Sequence, residues 1–203
     1  MSNLLDEIRR DDWSGEPGEI KVVPLDRAAT IADLALTKLK AEIVDGQLLV
    51  IGPSGCAPAR ASEQVAMSLR DHERPDRPGR AFMSRVSYLV DLPHRTAICP
   101  DASWYTGPRW KTGFPRVAPI FAVEVRDESE YGPAEERRLT AKRADYFAAG
   151  TQVVWDVDVL REGVVRVYRA TDPENPTVYR RGEVAEAEPA VPGWRMPVDD
   201  LYE

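Results

Sequence analysis

The chain has 203 residues, of which 43% are hydrophobic and 30% are charged, and its formal net charge is −7. This composition is ordinary for a soluble globular protein of about one domain. The acidic balance argues against a surface covered with basic residues for nucleic-acid binding, although a local basic groove is compatible with it. No apolar run approaches the roughly 20 residues that a membrane helix needs, and the N-terminus has no apolar signal-peptide core. We therefore expect a cytoplasmic protein that does not enter the membrane.

The first half of the chain is predicted to contain an N-terminal arm, two helices and a β-hairpin. Residues 1–20 mix charged residues with glycine and proline, which predicts a flexible arm. Apolar residues recur at helical spacing after Thr30, a suitable N-cap, and this first helix is expected to end at Glu42. The Asp45-Gly46 pair between two apolar runs predicts a hairpin, and a second helix is expected over residues 58–72.

The second half is predicted to combine strands with one long helix. A nearly all-apolar run is typical of a buried central strand, and proline and glycine stand at the preferred start and end positions of a helix. The order of elements predicts one α/β (α+β) domain over residues 21–203. The expected elements are strands over residues 81–92, 96–105 and 119–125, a helix from Pro133 to about Ala149 with Gly150 just after it, and further strands from Gln152 onwards.

Two carboxylates fall inside segments that otherwise have the composition of buried strands. Glu124 lies within Ile120-Phe121-Ala122-Val123-Glu124-Val125, and Asp101 lies within Ala97-Ile98-Cys99-Pro100-Asp101-Ala102. A buried, unpaired carboxylate costs several kcal/mol, so each needs a cation. Two carboxylates on neighbouring strands suit a hard cation such as Mg²⁺, which takes few protein ligands and keeps its waters.

Two further ionisable residues are candidates for the same site. Lys142 projects from the edge of the inner stripe of the helix that follows Glu124, where it can neutralise carboxylates or support a reacting phosphate. The helical spacing of Glu42 from Leu39 allows it an inward direction. A structural salt-bridge network, with Glu124 paired to Lys142 or to Arg126, is the competing interpretation and is equally compatible with these residues.

Six short segments, taken in order from about residue 30 to the end, carry a family resemblance. They are Glu42-Ile43-Val44-Asp45-Gly46-Gln47-Leu48, Pro100-Asp101, Val123-Glu124-Val125-Arg126, the spaced residues Lys142, Tyr146 and Gly150, Val154-Trp155-Asp156-Val157-Asp158, and Pro192-Gly193-Trp194-Arg195-Met196-Pro197-Val198. Together they resemble the family of restriction-endonuclease-like proteins called Uma-two (Uma2), a branch of the PD-(D/E)XK nucleases.

The resemblance implies a fold, an activity and a set of site residues. The implied fold is restriction-endonuclease-like, with a central mixed β-sheet flanked by helices, and the implied activity is cleavage of DNA with Mg²⁺ or Mn²⁺. The implied metal ligands are Asp101, Glu124 and Val125. Lys142 corresponds to the catalytic lysine, which this family is thought to place on the helix, and Glu42 to a supporting acid.

Two departures from the family pattern keep other functions open. Residues 127–130 are largely acidic where the family has Ser-Pro-Ser, which would repel a phosphate backbone, and residues 59–64 lack a histidine that the family often has. The expected function is a metal-dependent endonuclease that hydrolyses DNA phosphodiester bonds. The alternatives are a catalytically inactive dimeric interaction module that retains an acidic pocket, and a hydrolase of a small phosphorylated ligand. Exposed edges of the C-terminal strands predict a homodimer.

Overall fold

The computed structural model describes residue 13, residues 15–109 and residues 111–203. Most of the predicted N-terminal arm, residues 1–12 and 14, lies outside the described residues. No helix of the described part is long and apolar enough to cross a membrane. The helices of this part are α1 (Ile31–Leu36), α2 (Cys56–His72), α3 (Pro133–Ala148) and a 3-10 helix (Val198–Tyr202).

A five-stranded antiparallel sheet forms one side of the molecule. Its strands are β1 (Ile20–Val23), β2 (Lys40–Val44), β3 (Gln47–Ile51), β5 (Tyr88–Leu92) and β6 (Arg95–Ile98). They lie in the order β1-β3-β2-β6-β5. The predicted hairpin between β2 and β3 is confirmed, and its turn residues Asp45 and Gly46 both have positive φ, 49° and 70°. Two positive φ angles suit a two-residue turn because they match the twist of the flanking strands.

A six-stranded mixed sheet holds the central strands. Its strands are β4 (Arg80–Met83), β7 (Ala102–Tyr105), β8 (Phe121–Val125), β9 (Val153–Asp158), β10 (Val164–Arg169) and β11 (Asp172–Arg180). They lie in the order β11-β10-β9-β8-β7-β4, and β8 and β9 are parallel while the other neighbours are antiparallel. Helix α3 connects the two parallel strands, as such a crossover requires. A small third sheet pairs β12 (Val184–Glu186) with β13 (Arg195–Pro197).

An apolar core holds β7 and β8 in place. Ala61, Val65 and Leu69 of α2 form one buried cluster with side chains of the six-stranded sheet. Phe121 of β8 packs edge-on against Trp155 at a centroid distance of 5.4 Å. Fully buried side chains of this size hold the backbone of the central strands rigidly, because interiors are close-packed. Charged groups at the ends of these strands are therefore positioned accurately.

The expectation that Glu42 ends the first helix is wrong. Helix α1 ends at Leu36, Thr37 is extended with φ −78° and ψ 143°, and Glu42 lies in the middle of β2. Strand β2 has β3 on one side and β6 on the other. These two partners supply hydrogen bonds that the local apolar spacing does not reveal, and the β-branched Ile43 and Val44 favour the strand.

Each of the two strands expected over residues 81–92 and 96–105 is divided between the two large sheets. The first splits into β4 and β5, with Arg85 at a positive φ of 81° between them. The second splits into β6 and β7 around Pro100, which has no N–H to donate to a ladder. Asp101 therefore lies where the chain passes from one sheet to the other.

Candidate active site

Asp101 and Glu124 face each other across two antiparallel strands. Asp101 directly precedes β7, whose first residue Ala102 pairs with Val123 of β8, so the register places Asp101 opposite Glu124. The main-chain N–H of Val125 donates a 2.9 Å hydrogen bond to Asp101 Oδ2 and fixes that carboxylate. The side chains of Asp101 and Glu124 are only 11% and 13% exposed. Two poorly hydrated negative charges on adjacent strands require a cation.

The ammonium group of Lys40 lies between these two carboxylates. Its Nζ is 2.7 Å from Asp101 Oδ1 and 3.7 Å from Glu124 Oε2, and the side chain is 12% exposed. Burial would lower the pKa of Lys40, but the charges of Asp101 and Glu124 raise it well above its ordinary value. Lys40 is therefore a cation at every physiological pH.

Lys142 of α3 binds Glu124 from another side. Its Nζ is 2.8 Å from Glu124 Oε2 and 2.9 Å from Glu42 Oε1, and its side chain is 6% exposed. Lys142 thus contacts both Glu124 and Glu42 directly. The contact between Glu124 and Lys142 is also the one that the salt-bridge interpretation expects.

Glu42 is held by two further donors. Its Oε2 accepts a 2.6 Å hydrogen bond from Arg95 Nη1, and its Oε1 accepts a 3.0 Å hydrogen bond from the main-chain N–H of Cys99. Burial would raise the pKa of Glu42, but the charges of Lys142 and Arg95 outweigh it and lower the pKa to about 2. Glu42 is therefore ionised at neutral pH and can hold the ammonium of Lys142 in one position.

Tyr146, one turn further along α3, binds the remaining oxygen of Glu124. Its hydroxyl donates a 2.5 Å hydrogen bond to Glu124 Oε1. Burial and the charge of Glu124 raise the pKa of Tyr146 well above its ordinary value, so the hydroxyl stays a donor. Burial also raises the pKa of Glu124, and the charges of Lys142 and Lys40 offset this only in part.

The ion pairs continue from Glu42 to the surface. Arg95 Nε donates a 2.6 Å hydrogen bond to Asp145 Oδ2, and His94 Nε2 lies 2.7 Å from Asp145 Oδ1. Carboxylates and cations alternate along this series, which we call the ion-pair chain. Its members are Asp101, Lys40, Glu124, Lys142, Glu42, Arg95 and Asp145.

Two large clefts in the described part of the chain reach the ion-pair chain. One has a volume of about 520 Å³ and is lined by Lys40, Glu42 and Lys142 among others. The second has a volume of about 430 Å³ and is lined by Lys40, Asp101 and Ser62 among others. Lys40 is the member of the ion-pair chain that lines both clefts, so a ligand in either one can contact it.

The donor set fits a hard divalent cation that keeps most of its waters. Asp101 and Glu124 offer carboxylate oxygens, and the main-chain carbonyl of Val125 follows Glu124 directly. Within the described residues no group of three or more His, Cys, Asp or Glu side chains converges on one metal position. Mg²⁺ binds through one or two carboxylates and water, and Asp101 and Glu124 supply two carboxylates.

Similarity to known families decides what kind of protein this is. Residues 29–199 match the model of the Uma2 family, which is described as "Putative restriction endonuclease". The chain belongs to the Uma2 family. The matched residues include every member of the ion-pair chain, from Lys40 to Asp145. No curated protein sequence matches this Uma2 chain.

A solved structure is similar in fold to most of this Uma2 protein. It is the crystal structure of a putative nuclease belonging to DUF820 from Anabaena variabilis, with a TM-score of 0.67 and 17% sequence identity. The similarity covers 86% of this chain and 97% of that chain. At this identity the similarity shows the fold alone. The predicted restriction-endonuclease-like fold, with a central mixed β-sheet flanked by helices, is confirmed, and the antiparallel five-stranded sheet is present beside it.

The acidic segment that departs from the Uma2 pattern is turned largely inward. Asp127 is 3% exposed, and its Oδ2 accepts a 2.9 Å hydrogen bond from the main-chain N–H of Gly55. Glu130 accepts hydrogen bonds from the main-chain N–H of Asp127, at 3.0 Å, and from Arg138 Nη2, at 2.5 Å. Glu128 is the exposed acid of this segment. The repulsion of a phosphate backbone by residues 127–130 is therefore smaller than their sequence suggests.

Sequence patterns do not single out Lys40, Arg95 or Asp145. Two signals were available: Lys40 shares a strand face with Glu42 once residues 40–44 are taken as a strand, and Asp145 follows Lys142 by three residues on the helix. Arg95 has no local signal, since it is 53 residues from Glu42 in sequence.

Proposed function

We propose that this Uma2 protein is a divalent-metal-dependent endonuclease that hydrolyses phosphodiester bonds in DNA and acts in the cytoplasm. The observation that carries the proposal is the pair of facing carboxylates, Asp101 and Glu124, with the buried ammonium of Lys142 against Glu124. Phosphodiester hydrolysis needs metal ligands and a fixed positive charge for the developing phosphate charge, and this group of residues offers both. The ligands of Mg²⁺ or Mn²⁺ would be Asp101, Glu124 and the main-chain carbonyl of Val125.

Each side chain has a role in the proposed reaction. When bound, the metal would polarise the scissile phosphate and lower the pKa of a water molecule. Lys142 orients the attacking water or neutralises charge on the phosphate oxygens. Glu42 positions Lys142 through their 2.9 Å contact. Tyr146 holds the second oxygen of Glu124, so that carboxylate keeps one orientation.

A cleft rich in arginine supports nucleic acid as the substrate. It has a volume of about 420 Å³, and its acidic lining residue, Glu73, accepts a hydrogen bond from the main-chain N–H of Ala81. It reaches Tyr105, at the opposite end of β7 from Asp101, a span of about 13 Å at roughly 3.3 Å per strand residue. Cationic contacts to phosphates supply most of the non-specific affinity for DNA. The basic lining residues are Arg74, Arg77, Arg80 and Arg109.

The test is a calorimetric titration of Mn²⁺ followed by cleavage of plasmid DNA. We expect the native protein to bind Mn²⁺ and to nick DNA, and Glu124→Gln to lose both. Lys142→Gln should lower the cleavage rate by roughly 100-fold or more, the effect of removing one group that stabilises transition-state charge. Glu124→Gln should keep its fold, because Lys40 remains paired with Asp101 and Lys142 remains paired with Glu42.

The matched control is Glu128→Gln, an exposed acid four residues after Glu124. It should bind Mn²⁺ and cleave DNA as the native protein does. Undiminished cleavage by Glu124→Gln or Lys142→Gln would contradict the proposal.

One observation favours a second function, that of a catalytically inactive dimeric interaction module. Lys40 and Lys142 already neutralise Asp101 and Glu124 without a metal. The edge strand β11 could pair with a second copy, although Pro173 and Pro176 limit such pairing to its last residues. Absence of Mn²⁺ binding and of cleavage, with a dimer mass in light scattering, would favour this function.

The volume of the larger cleft favours a third function, hydrolysis of a small phosphorylated ligand. About 520 Å³ falls within the range of small-molecule sites. Turnover of p-nitrophenyl phosphate without any cleavage of DNA would favour it over the endonuclease.

A further inference from the structure

We propose that Lys40 is an internal counter-ion of the candidate metal site, and that a divalent metal binds by displacing its ammonium from between Asp101 and Glu124. The inference rests on the metal site of the proposed function and adds to it a residue whose position changes with the metal. Lys40 is then a positioning residue that exchanges its carboxylate contacts for contacts in a cleft.

The contacts of the two carboxylates show why a metal and Lys40 compete. Asp101 Oδ2 accepts from the N–H of Val125, and Glu124 Oε1 accepts from Tyr146. The space between the two carboxylates is occupied by Lys40 Nζ, at 2.7 Å from Asp101 Oδ1 and 3.7 Å from Glu124 Oε2. A metal that binds both carboxylates needs that same space. Two cations so close together repel strongly in a poorly hydrated site.

Lys40 is held less firmly than Lys142. Lys142 has two short ionic contacts, 2.8 Å to Glu124 and 2.9 Å to Glu42, whereas Lys40 has one short contact and one of 3.7 Å. The side chain of Lys40 is also twice as exposed, 12% against 6%. Lys40 is therefore the cation that a metal displaces, and Lys142 keeps its place.

The displaced ammonium has room to move. Lys40 lines the cleft of about 520 Å³ and the cleft of about 430 Å³, and a lysine side chain is a flexible four-carbon stem with a compact charge. An ammonium swung into either cleft carries its positive charge to the place where a ligand phosphate would lie. Loading of the metal would thus prepare the cleft for an anion.

The first experiment compares Mn²⁺ affinity in three proteins by calorimetry. Lys40→Met removes the competing charge and keeps most of the length of the side chain. We expect it to bind Mn²⁺ roughly tenfold more tightly or better, since the metal no longer has to displace an ammonium from its contacts with the two carboxylates. Lys40→Arg keeps the charge and should stay within about threefold of the native protein, much less than one full charge is worth. Equal or weaker binding by Lys40→Met would overturn the inference.

The outcomes separate this inference from the proposed function. Binding by the native protein without tighter binding by Lys40→Met overturns the inference and leaves the metal-dependent function standing. Binding by Lys40→Met alone contradicts metal dependence of the native protein and also overturns the displacement, because Lys40 would then keep the metal out. Binding by none of the three proteins contradicts both.

A second experiment uses the native protein, in case Lys40→Met does not fold once the carboxylate of Asp101 has lost its cation. Lysines are acetylated briefly with and without saturating Mn²⁺, and the modified residues are quantified by mass spectrometry. Modification of Lys40 should rise severalfold with Mn²⁺, and modification of Lys142 should stay low. Unchanged or reduced modification of Lys40 in protein that binds Mn²⁺ would overturn the inference.

Discussion

Two groups of buried charges on neighbouring strands differ in the cation that holds them. Glu124 of one group and Asp156 of the other are direct partners in the parallel register of β8 and β9. The two groups therefore do not differ in their position in the sheet. We call them the lysine cluster, Lys40, Asp101, Glu124 and Lys142, and the arginine cluster, Arg126, Glu136 and Asp156.

The guanidinium of Arg126 binds Asp156 as a fork. Nε donates to Oδ1 at 2.6 Å, Nη2 donates to Oδ2 at 2.7 Å, and Arg126 also contacts Glu136. Burial would lower the pKa of Arg126, but its hydrogen bonds to Asp156 and Glu136 raise it further above its ordinary value. A planar fork that engages both oxygens of one carboxylate fixes the geometry of the pair.

The lysine cluster is built from point charges instead. Each lysine bridges two carboxylates, and Lys40 reaches its second one only at 3.7 Å. Lys40 and Lys142 line a cleft, whereas Arg126 lines none of the three clefts described above. The arginine cluster thus has the geometry of a fixed structural ion pair, while the lysine cluster keeps cations that a ligand can reach.

The largest expected effect on stability is at Arg126. Arg126→Met leaves Asp156, whose side chain is 6% exposed, without its fork, and removal of one partner of a buried pair costs about 3–5 kcal/mol. The free energy of unfolding in urea measures this loss. The affinity of Arg126→Met for Mn²⁺ should be unchanged, because the proposed metal ligands belong to the lysine cluster. A loss under about 1 kcal/mol, the size of an exposed pair, would contradict the structural role of the arginine cluster.

An intermediate effect is expected at Glu42, which borders the lysine cluster. Its pKa falls from the ordinary 4.5 to about 2 on folding. A lowered pKa means that its stabilisation is complete above about pH 4.5 and is lost as the pH falls towards 2, with a total on the order of 3 kcal/mol. Glu42→Gln should therefore lose less stability than the native protein between these pH values.

Thermal unfolding at a series of pH values measures this difference. Glu128→Gln, which changes an exposed acid, should follow the native pH dependence. Parallel curves for Glu42→Gln and the native protein would show that the charge of Glu42 does not contribute to stability.

The smallest effect is expected at Glu136. Its side chain is 50% exposed, and Arg126 keeps its two hydrogen bonds to Asp156 when Glu136 is neutralised. Glu136→Gln should cost no more than about 1 kcal/mol, the usual size of an exposed ion pair. The same urea titration measures this loss of unfolding free energy. A loss as large as that of Arg126→Met would show that the arginine cluster depends on its exposed member, Glu136, as much as on Arg126.

Local signals determined several elements of the fold. The turn at Asp45-Gly46 needs positive φ at two adjacent residues, and the sequence places residues there that tolerate it. Pro133 opens α3, and Gly150 follows its end with a positive φ of 103°. Glu124 and Lys142 were identified because charges are rare within apolar patterns. The division into an arm of residues 1–20 and one domain stays a prediction.

Tertiary structure decided what those residues meet. Glu42 lies on a strand and not on a helix because β3 and β6 pair with it from both sides. Lys40 reaches Asp101 across 61 residues of sequence, and Arg95 reaches Glu42 across 53. The periodicity of apolar residues gives information only about residues that are close in sequence. It therefore indicates the buried carboxylates Asp101 and Glu124 but not Lys40, which lies between them. The sequence alone indicated that Asp101, Glu124 and Lys142 are charges in apolar surroundings. Only the packing of the two sheets decided that Lys40 lies between the two carboxylates and that Arg95 pairs with Glu42, because burial forces every charge to find its partner in space.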